Sequence, residues 1–340
     1  MTKIYRFFLM LSLLGLCLPL RSQDPVFSQH FAIPMNLNPA FASVSLAPRI
    51  STVYRHQWPS WPNAYRTYAI SYEHPVQGLN SSFGIKVMGD DAGNGIYQTN
   101  QFTGIYSYQI RASRDLAFIL GVEAGFMQTR LDWEQLIFED QLDPRIGLED
   151  GVFSSEVPPE QFNQSAVDVG MGLMVYHSNY YAGLSVKHLN RSDENWLNIN
   201  NNLSLGRPMR ITFHTGAEFS VNANNNRLGA SFISPNLLYI RQGPYSQVNA
   251  GAYAGYESVF GGIWYRHTFE NADAAILMAG VRYNSLRIAY SYDVTISGLS
   301  LTATGGSHEI SVSISLEYSR SIRRNLQRQS DINNCFKIFN

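Results

Sequence analysis

From Glu309 to Tyr318 apolar and polar positions alternate without a break. Ile310, Val312, Ile314, Leu316 and Tyr318 take one side, and Glu309, three serines and Glu317 the other. Leu286–Asp293 repeats the pattern, with Leu286, Ile288, Tyr290 and Tyr292 set against Arg287, Ala289, Ser291 and Asp293. Asp168–Val175 and Ile211–Phe219 follow it too, each with one large apolar face and one small or polar face. A period of two predicts antiparallel strands whose faces meet unlike surroundings. About fourteen such segments can be marked, centred near Val53, Ala69, Ile85, Ile105, Leu120, Gly172, Gly183, Phe213, Ala230, Ala252, Ile263, Leu277, Ala289 and Ile314.

Alternation alone also suits a β-sandwich. A lipid-facing barrel differs in its strands of about ten residues, its polar interior and the aromatic residues near its strand ends. Tyr54, Tyr65, Tyr72, Tyr106, Tyr108, Tyr176, Tyr180, Tyr181, Tyr265, Tyr283 and Tyr318 supply the aromatic girdles. Connections are expected to be short after strands two, four, six, eight, ten and twelve. Longer ones are expected near Gly89–Tyr97, Arg130–Gln164, Leu189–Gly206 and Val294–Ser307. Sorting of this kind separates the periplasmic turns of an outer-membrane barrel from its outer loops. The expected fold is all-β: a transmembrane antiparallel β-barrel of about fourteen strands over residues 49–318.

Composition agrees. Only 15% of the 340 residues are charged while 13% are aromatic, which excludes a disordered chain and a coiled coil. A formal charge of -1 provides no basic field for nucleic acid. Lys3 and Arg6 precede the apolar run Phe7–Leu20, and Ser22 suits cleavage before Gln23, so residues 1–22 read as a signal peptide. Leu16 beside Cys17 is too large for a lipoprotein site. Cleavage would leave Cys335 as the one cysteine, hence no internal disulfide. Past residue 22 no apolar run approaches the ~20 residues of a membrane helix; Ala274–Val281 is among the longest.

Chemistry-bearing residues are scattered. Nine acids between Arg130 and Gln164 (Asp132, Glu134, Glu139, Asp140, Asp143, Glu149, Asp150, Glu156 and Glu160) suit either a calcium site or, more commonly, a solvated loop, and they lack EF-hand spacing. His30, His56, His74, His177, His188, His214, His267 and His308 form no metal-binding pair motif. No nucleophile elbow or phosphate loop occurs. His214 and Glu218 share an inward face, which a lumenal hydrolase would need to complete with a serine, but polar lining is the commoner use. No enzyme, cofactor or metal is expected.

Two flanks stand apart. Residues 23–48 carry Pro25, Pro34, Pro39 and Pro48 with Phe27, Phe31 and Phe41, too many prolines for a long regular element. They read either as a plug within a lumen wide enough to need filling or as a periplasmic strap. The tail, residues 319–340, carries Arg320, Arg323, Arg324, Arg328 and Lys337 against Asp331. It suits an acidic periplasmic partner, or is simply a solvated end.

Ordered motifs carry a resemblance. Asp24-Pro25-Val26-Phe27-Ser28-Gln29, Asn36-Leu37-Asn38-Pro39-Ala40-Phe41-Ala42 and Tyr54-Arg55-His56-Gln57-Trp58-Pro59 lie at the start. Ser234-Pro235-Asn236-Leu237-Leu238-Tyr239, Gly262-Ile263-Trp264-Tyr265-Arg266, Leu286–Asp293 and Gly306-Ser307-His308-Glu309-Ile310 follow. Together they resemble the PorP/SprF family of outer-membrane proteins in the type IX secretion system of Bacteroidetes. Ser43, where glycine is expected, and the tail's Cys335-Phe336, without a proline, depart from the pattern. The resemblance implies a non-catalytic role in exporting cargo, or in holding a large gliding adhesin at the surface. Its implied partners are secretion-system outer-membrane and periplasmic proteins, the cargo and outer-membrane lipid. Asn36, Asn38, Pro39, Phe41, Trp58, Arg320, Arg323 and Arg324 are the expected partner contacts. The Asn38-Pro39-Ala40 run and the basic tail would act on the periplasmic side. The competing class is a transporter of hydrophobic small molecules, since fatty-acid channels share the strand number and a similar Asn-Pro-Ala plug. It would need a continuous apolar tunnel.

Overall fold

A computed structural model describes residues 23–316 except 62–63, 77, 114, 144, 146, 149–151, 159–161, 191–206, 222–230, 270–271 and 298–303. The signal-peptide and tail expectations, with Arg320, Arg323, Arg324 and Cys335, lie outside the described residues.

Fourteen strands build the wall: β1 Arg49–Gln57, β2 Tyr65–Val76, β3 Ser81–Ala92, β4 Tyr97–Arg111, β5 Leu116–Leu131, β6 Asn163–His177 and β7 Tyr180–Lys187 form the first half. The second half is β8 Arg210–Ala217, β9 Phe232–Gln242, β10 Tyr245–Tyr256, β11 Val259–Thr268, β12 Ala272–Tyr283, β13 Leu286–Thr295 and β14 Ser307–Ser315. Every consecutive pair is antiparallel, and β14 returns to β1 in the register Arg49↔Ser315 to Gln57↔Ser307, closing the barrel. Closure removes both sheet edges, so the wall meets its backbone hydrogen-bonding needs without water.

Side chains sort by parity, as the period of two requires. On β14, Glu309, Ser311 and Ser313 point inward and are buried, while Ile310 and Ile314 point out. Outward apolar residues recur around the wall, from Ile70 at 55% exposure to Ile263 at 69%. Such a belt is untenable in water and natural in lipid.

The strand expected around Ala230 is instead centred on Leu237, within Phe232–Gln242. Pro235 obscured it, because proline cannot donate to a ladder. The β8–β9 pairing runs only to Gly216↔Asn236 and resumes as Phe219↔Ile233, so Pro235 sits where the ladder lapses. Connection lengths also depart from expectation at two places. Residues 93–96 close a tight turn after β3, with Gly93, Asn94 and Gly95 at positive φ and Asp91 Oδ1 accepting from Gly95 N–H at 2.6 Å. Asn-Gly is a strong hairpin signal. After β8 the ladder resumes through Phe219–Ser220, so eleven residues separate Ser220 from Phe232 where a shorter connection was expected. At the other connections marked in the sequence the sorting holds, although β9 and β10 are also joined at the loop end by only two residues. The strand ends joined after β2, β4, β6, β10 and β12 form the turn end; those joined after β5, β7 and β13, across the longer connections, lie at the opposite, loop end.

Residues 24–47 lie inside this wall. Phe31, Met35, Ala40 and Phe41 are at most 1% exposed. Two 3-10 turns, Pro34–Asn36 and Pro39–Ser43, each begin with proline, whose missing N–H costs nothing at a helix start. Asn38 caps the second, its Oδ1 accepting from Ala40 N–H at 2.9 Å. Ala40 passes so close to β5 that a Cβ on Gly121 would strike its backbone, and a Cβ on Gly172 would strike Asn38.

Candidate functional site: the occupied lumen

Among the described residues the inward faces hold ion pairs and, beside them, an apolar cluster in which Phe31 and Phe41 pack with wall residues such as Ile119, Met174, Ile240 and Ile276. Four charged side chains from four separate strands meet the N-terminal segment at one place. Arg55 Nη2 lies 2.9 Å from Asp293 and its Nη1 3.2 Å from Glu309; Arg266 Nη1 lies 3.1 Å from Asp293. Into this cluster comes Ser28. Its Oγ donates to Asp293 at 2.7 Å and accepts from Arg55 at 2.8 Å and Arg266 at 2.6 Å. The backbone N–H groups of Ser28 and Gln29 both donate to the Glu309 carboxylate at 2.8 Å. Gln29 Nε2 adds bonds to the Glu309 carbonyl and Ser291, and its Oε1 accepts from Ser311. Buried charges are tolerable when paired and hydrogen-bonded in this way.

Further along, Lys86 Nζ donates to Asn36 Oδ1 at 3.0 Å, and Ser185 Oγ to the Leu37 carbonyl at 2.5 Å. Asn38 Nδ2 reaches the carbonyls of Leu173 and Leu184 and lies 3.0 Å from His214 Nε2. Phe41 stacks on His214 at 4.9 Å between centroids. Beside them His30, Leu37, Tyr181, Tyr253 and Trp264 help line a cavity of ≈ 20 Å³. That is about the room one water needs. His214 is therefore engaged by the N-terminal segment rather than by a nucleophilic serine.

The upper anchor is Asp24. His188 Nε2 lies 2.6 Å from its carboxylate, Arg207 Nη1 2.8 Å and Arg210 Nη1 3.6 Å, while its own N–H donates to Gln242 Oε1. His188 Nδ1 meets Asp168 at 2.8 Å, so both ring nitrogens face carboxylates. Burial favours the neutral ring, but Asp24 and Asp168 outweigh it and raise the His188 pKa to about 9. A group raised in the folded state contributes stability in full below its ordinary value near 6.5 and loses it as pH rises through about 9. The difference is on the order of 3 kcal/mol. The thermal midpoint of the detergent-purified barrel should therefore fall between pH 7 and pH 10. H188Q should be less stable at pH 7 and show a flatter decline; a decline as steep as the native chain's would refute this role for His188.

The expected contact residues thus fall into three groups. Asn36, Asn38, Pro39 and Phe41 are brought together, but buried against the barrel's own inward faces. Trp58 is apart from them at the loop end, at φ 57, with its N–H bonded to the Gly306 carbonyl and its ring against Trp61 and Tyr65. The third group is the tail arginines. Among the described residues of the acidic connection, Asp140 accepts from Ser154 and Ser155. No group of three metal-ligating side chains occurs among the described residues. Roles for Ser28, Arg55, Arg266, Asp293 and Glu309 were missed, although each sits in a motif quoted above. The available signal was a lone charge on an otherwise small, inward-facing run.

Residues 20–314 match the family model described as type IX secretion system membrane protein PorP/SprF. No curated protein matches the sequence. Similar solved structures include the toluene transporter TbuX of Ralstonia pickettii, 10% identical with a TM-score of 0.48, covering 83% of this chain and 92% of that one. Outer membrane protein Omp33 of Acinetobacter baumannii is 6% identical with a TM-score of 0.43, covering 80% and 99%. A deletion mutant of the monoaromatic hydrocarbon channel TodX is 9% identical with a TM-score of 0.44, covering 83% and 93%. These likenesses carry no statement about what this chain binds.

Proposed function

This chain belongs to the type IX secretion system membrane protein PorP/SprF family and is an outer-membrane component of that system; from this premise we propose that it works as a plugged, non-enzymatic barrel. It supports export of cargo proteins, or their attachment at the cell surface, through contacts made by its loops, its lumen mouth and its tail. Residues 1–22 are removed on export, and the turn end faces the periplasm, as short turns do in outer-membrane barrels.

One observation carries this reading: the lumen is occupied by residues 24–47, with Ser28, Gln29 and Asn36 bonded to charged wall residues and Phe31, Leu37 and Phe41 packed on apolar ones. An apolar solute would have to displace the segment from buried ion pairs that it helps to satisfy, at a cost of several kcal/mol. That disfavours a conduit for hydrophobic molecules and leaves the exposed ends for partners.

A clean deletion in the native host, read by comparing secreted and surface proteins with the parent, tests it. Loss of all cargo of the system would mark a core component, and loss of one large adhesin a dedicated partner. An unchanged secretome with impaired uptake of an apolar solute would refute the proposal.

A further inference from the structure

The contacts of the N-terminal segment begin at the loop end and finish at the turn end, with one return between them, where Ser185 and Lys187 near the loop end of β7 donate to the Leu37 and Met35 carbonyls. Asp24 is held by His188, Arg207 and Gln242, and all three stand at the loop end: just past β7, just before β8 and at the last residue of β9. Ser28 and Gln29 meet Arg55, Asp293 and Glu309, each two residues inside its strand's loop end. Phe31 then packs on Tyr253 and Phe260, near the turn end of β10 and β11. Ser43 bonds Ser107, four residues before β4 finishes at that end. Finally Leu316 N–H donates to the Pro48 carbonyl where β1 begins. Gln23, beyond Asp24, is exposed.

We propose that the N-terminal segment threads the barrel from its outer mouth inward, so that the chain start is displayed on the outer face. A strap entering from the periplasm would make its first contacts at the turn end, and this one makes its last contacts there. Asp24 fixes the direction because its carboxylate is held by His188 and Arg207, both of which stand at the loop end. The inference rests on the membrane orientation proposed above. It also reassigns the start of the chain: it faces partners that have already crossed the membrane, alongside the connections that carry His188 and Arg207, rather than periplasmic ones.

The test is labelling of intact cells with a membrane-impermeant maleimide. In a Cys335→Ser background, a Gly-Gly-Cys-Gly-Gly insertion after Gln23 extends the exposed start without touching Asp24. Phe153→Cys, 93% exposed in the 132–162 connection, reports the loop end, and Ser258→Cys the turn end. Only chains that migrate as folded barrels are scored. Labelling of the insertion together with Phe153→Cys, and not with Ser258→Cys, is the expected result. Labelling only after the outer membrane is disrupted, as for Ser258→Cys, would overturn the threading. If Phe153→Cys is itself the protected position, the orientation is wrong, and threading still requires the insertion to follow it.

Discussion

R55L is expected to lower the unfolding free energy of the barrel by about 3–5 kcal/mol. Arg55 bonds Asp293, Glu309 and Ser28 from one guanidinium, buried at 3% exposure. Leucine would fill part of the volume and leave two carboxylates with less compensation: Asp293 keeps Arg266, while Glu309 keeps the N–H groups of Ser28 and Gln29. Removing one partner of a buried network costs far more than the network's net worth, because the remaining charge stays out of water. The urea midpoint of the detergent-solubilised barrel, followed by its heat-modifiable migration, reads the loss. R145L, in the outer connection, should change it by no more than about 0.5 kcal/mol. Equal effects from the two variants would show that the lumenal cluster does not hold the structure.

The second large effect is on permeability. Deleting residues 24–43 removes the side chains that occupy the lumen and leaves every wall ladder intact, from Arg49↔Glu73 around to Arg49↔Ser315. The truncated chain should assemble and open a pore of the width fourteen strands imply. Cells producing it should become more sensitive, on the order of tenfold, to hydrophilic antibiotics too large for ordinary porins. Growth-inhibition assays against the full chain measure this. Unchanged sensitivity with normal amounts of folded barrel would mean that something besides this segment obstructs the lumen.

The wall was legible because its rule is local. Two residues of sequence decide whether Ile310 or Ser311 faces lipid, and repetition along fourteen strands leaves few alternatives. Where that rule is broken by a single residue, as at Pro235, the strand was displaced. The turn at Gly93-Asn94-Gly95 carried its own local signal, outweighed in the reading by the expectation of a long loop. The interior was not legible for a different reason. Ser28 and Glu309 are 281 positions apart, and nothing near either one specifies the other. Arg55, Arg266, Asp293 and Glu309 were each visible as part of a motif, yet only closure of β14 onto β1 brings them to the same lumen. The Asn38-Pro39-Ala40 run was legible as a motif, but not the contacts it makes inside the barrel. Its asparagine is fully buried and serves a 3-10 cap and the wall carbonyls.

Conductance of the purified full-length chain in a planar lipid bilayer tests the occupied lumen most directly. The ion-paired segment across the barrel predicts insertion without a steady open current. A stable, reproducible conductance from the intact chain would contradict it and return the barrel to the class of solute conduits.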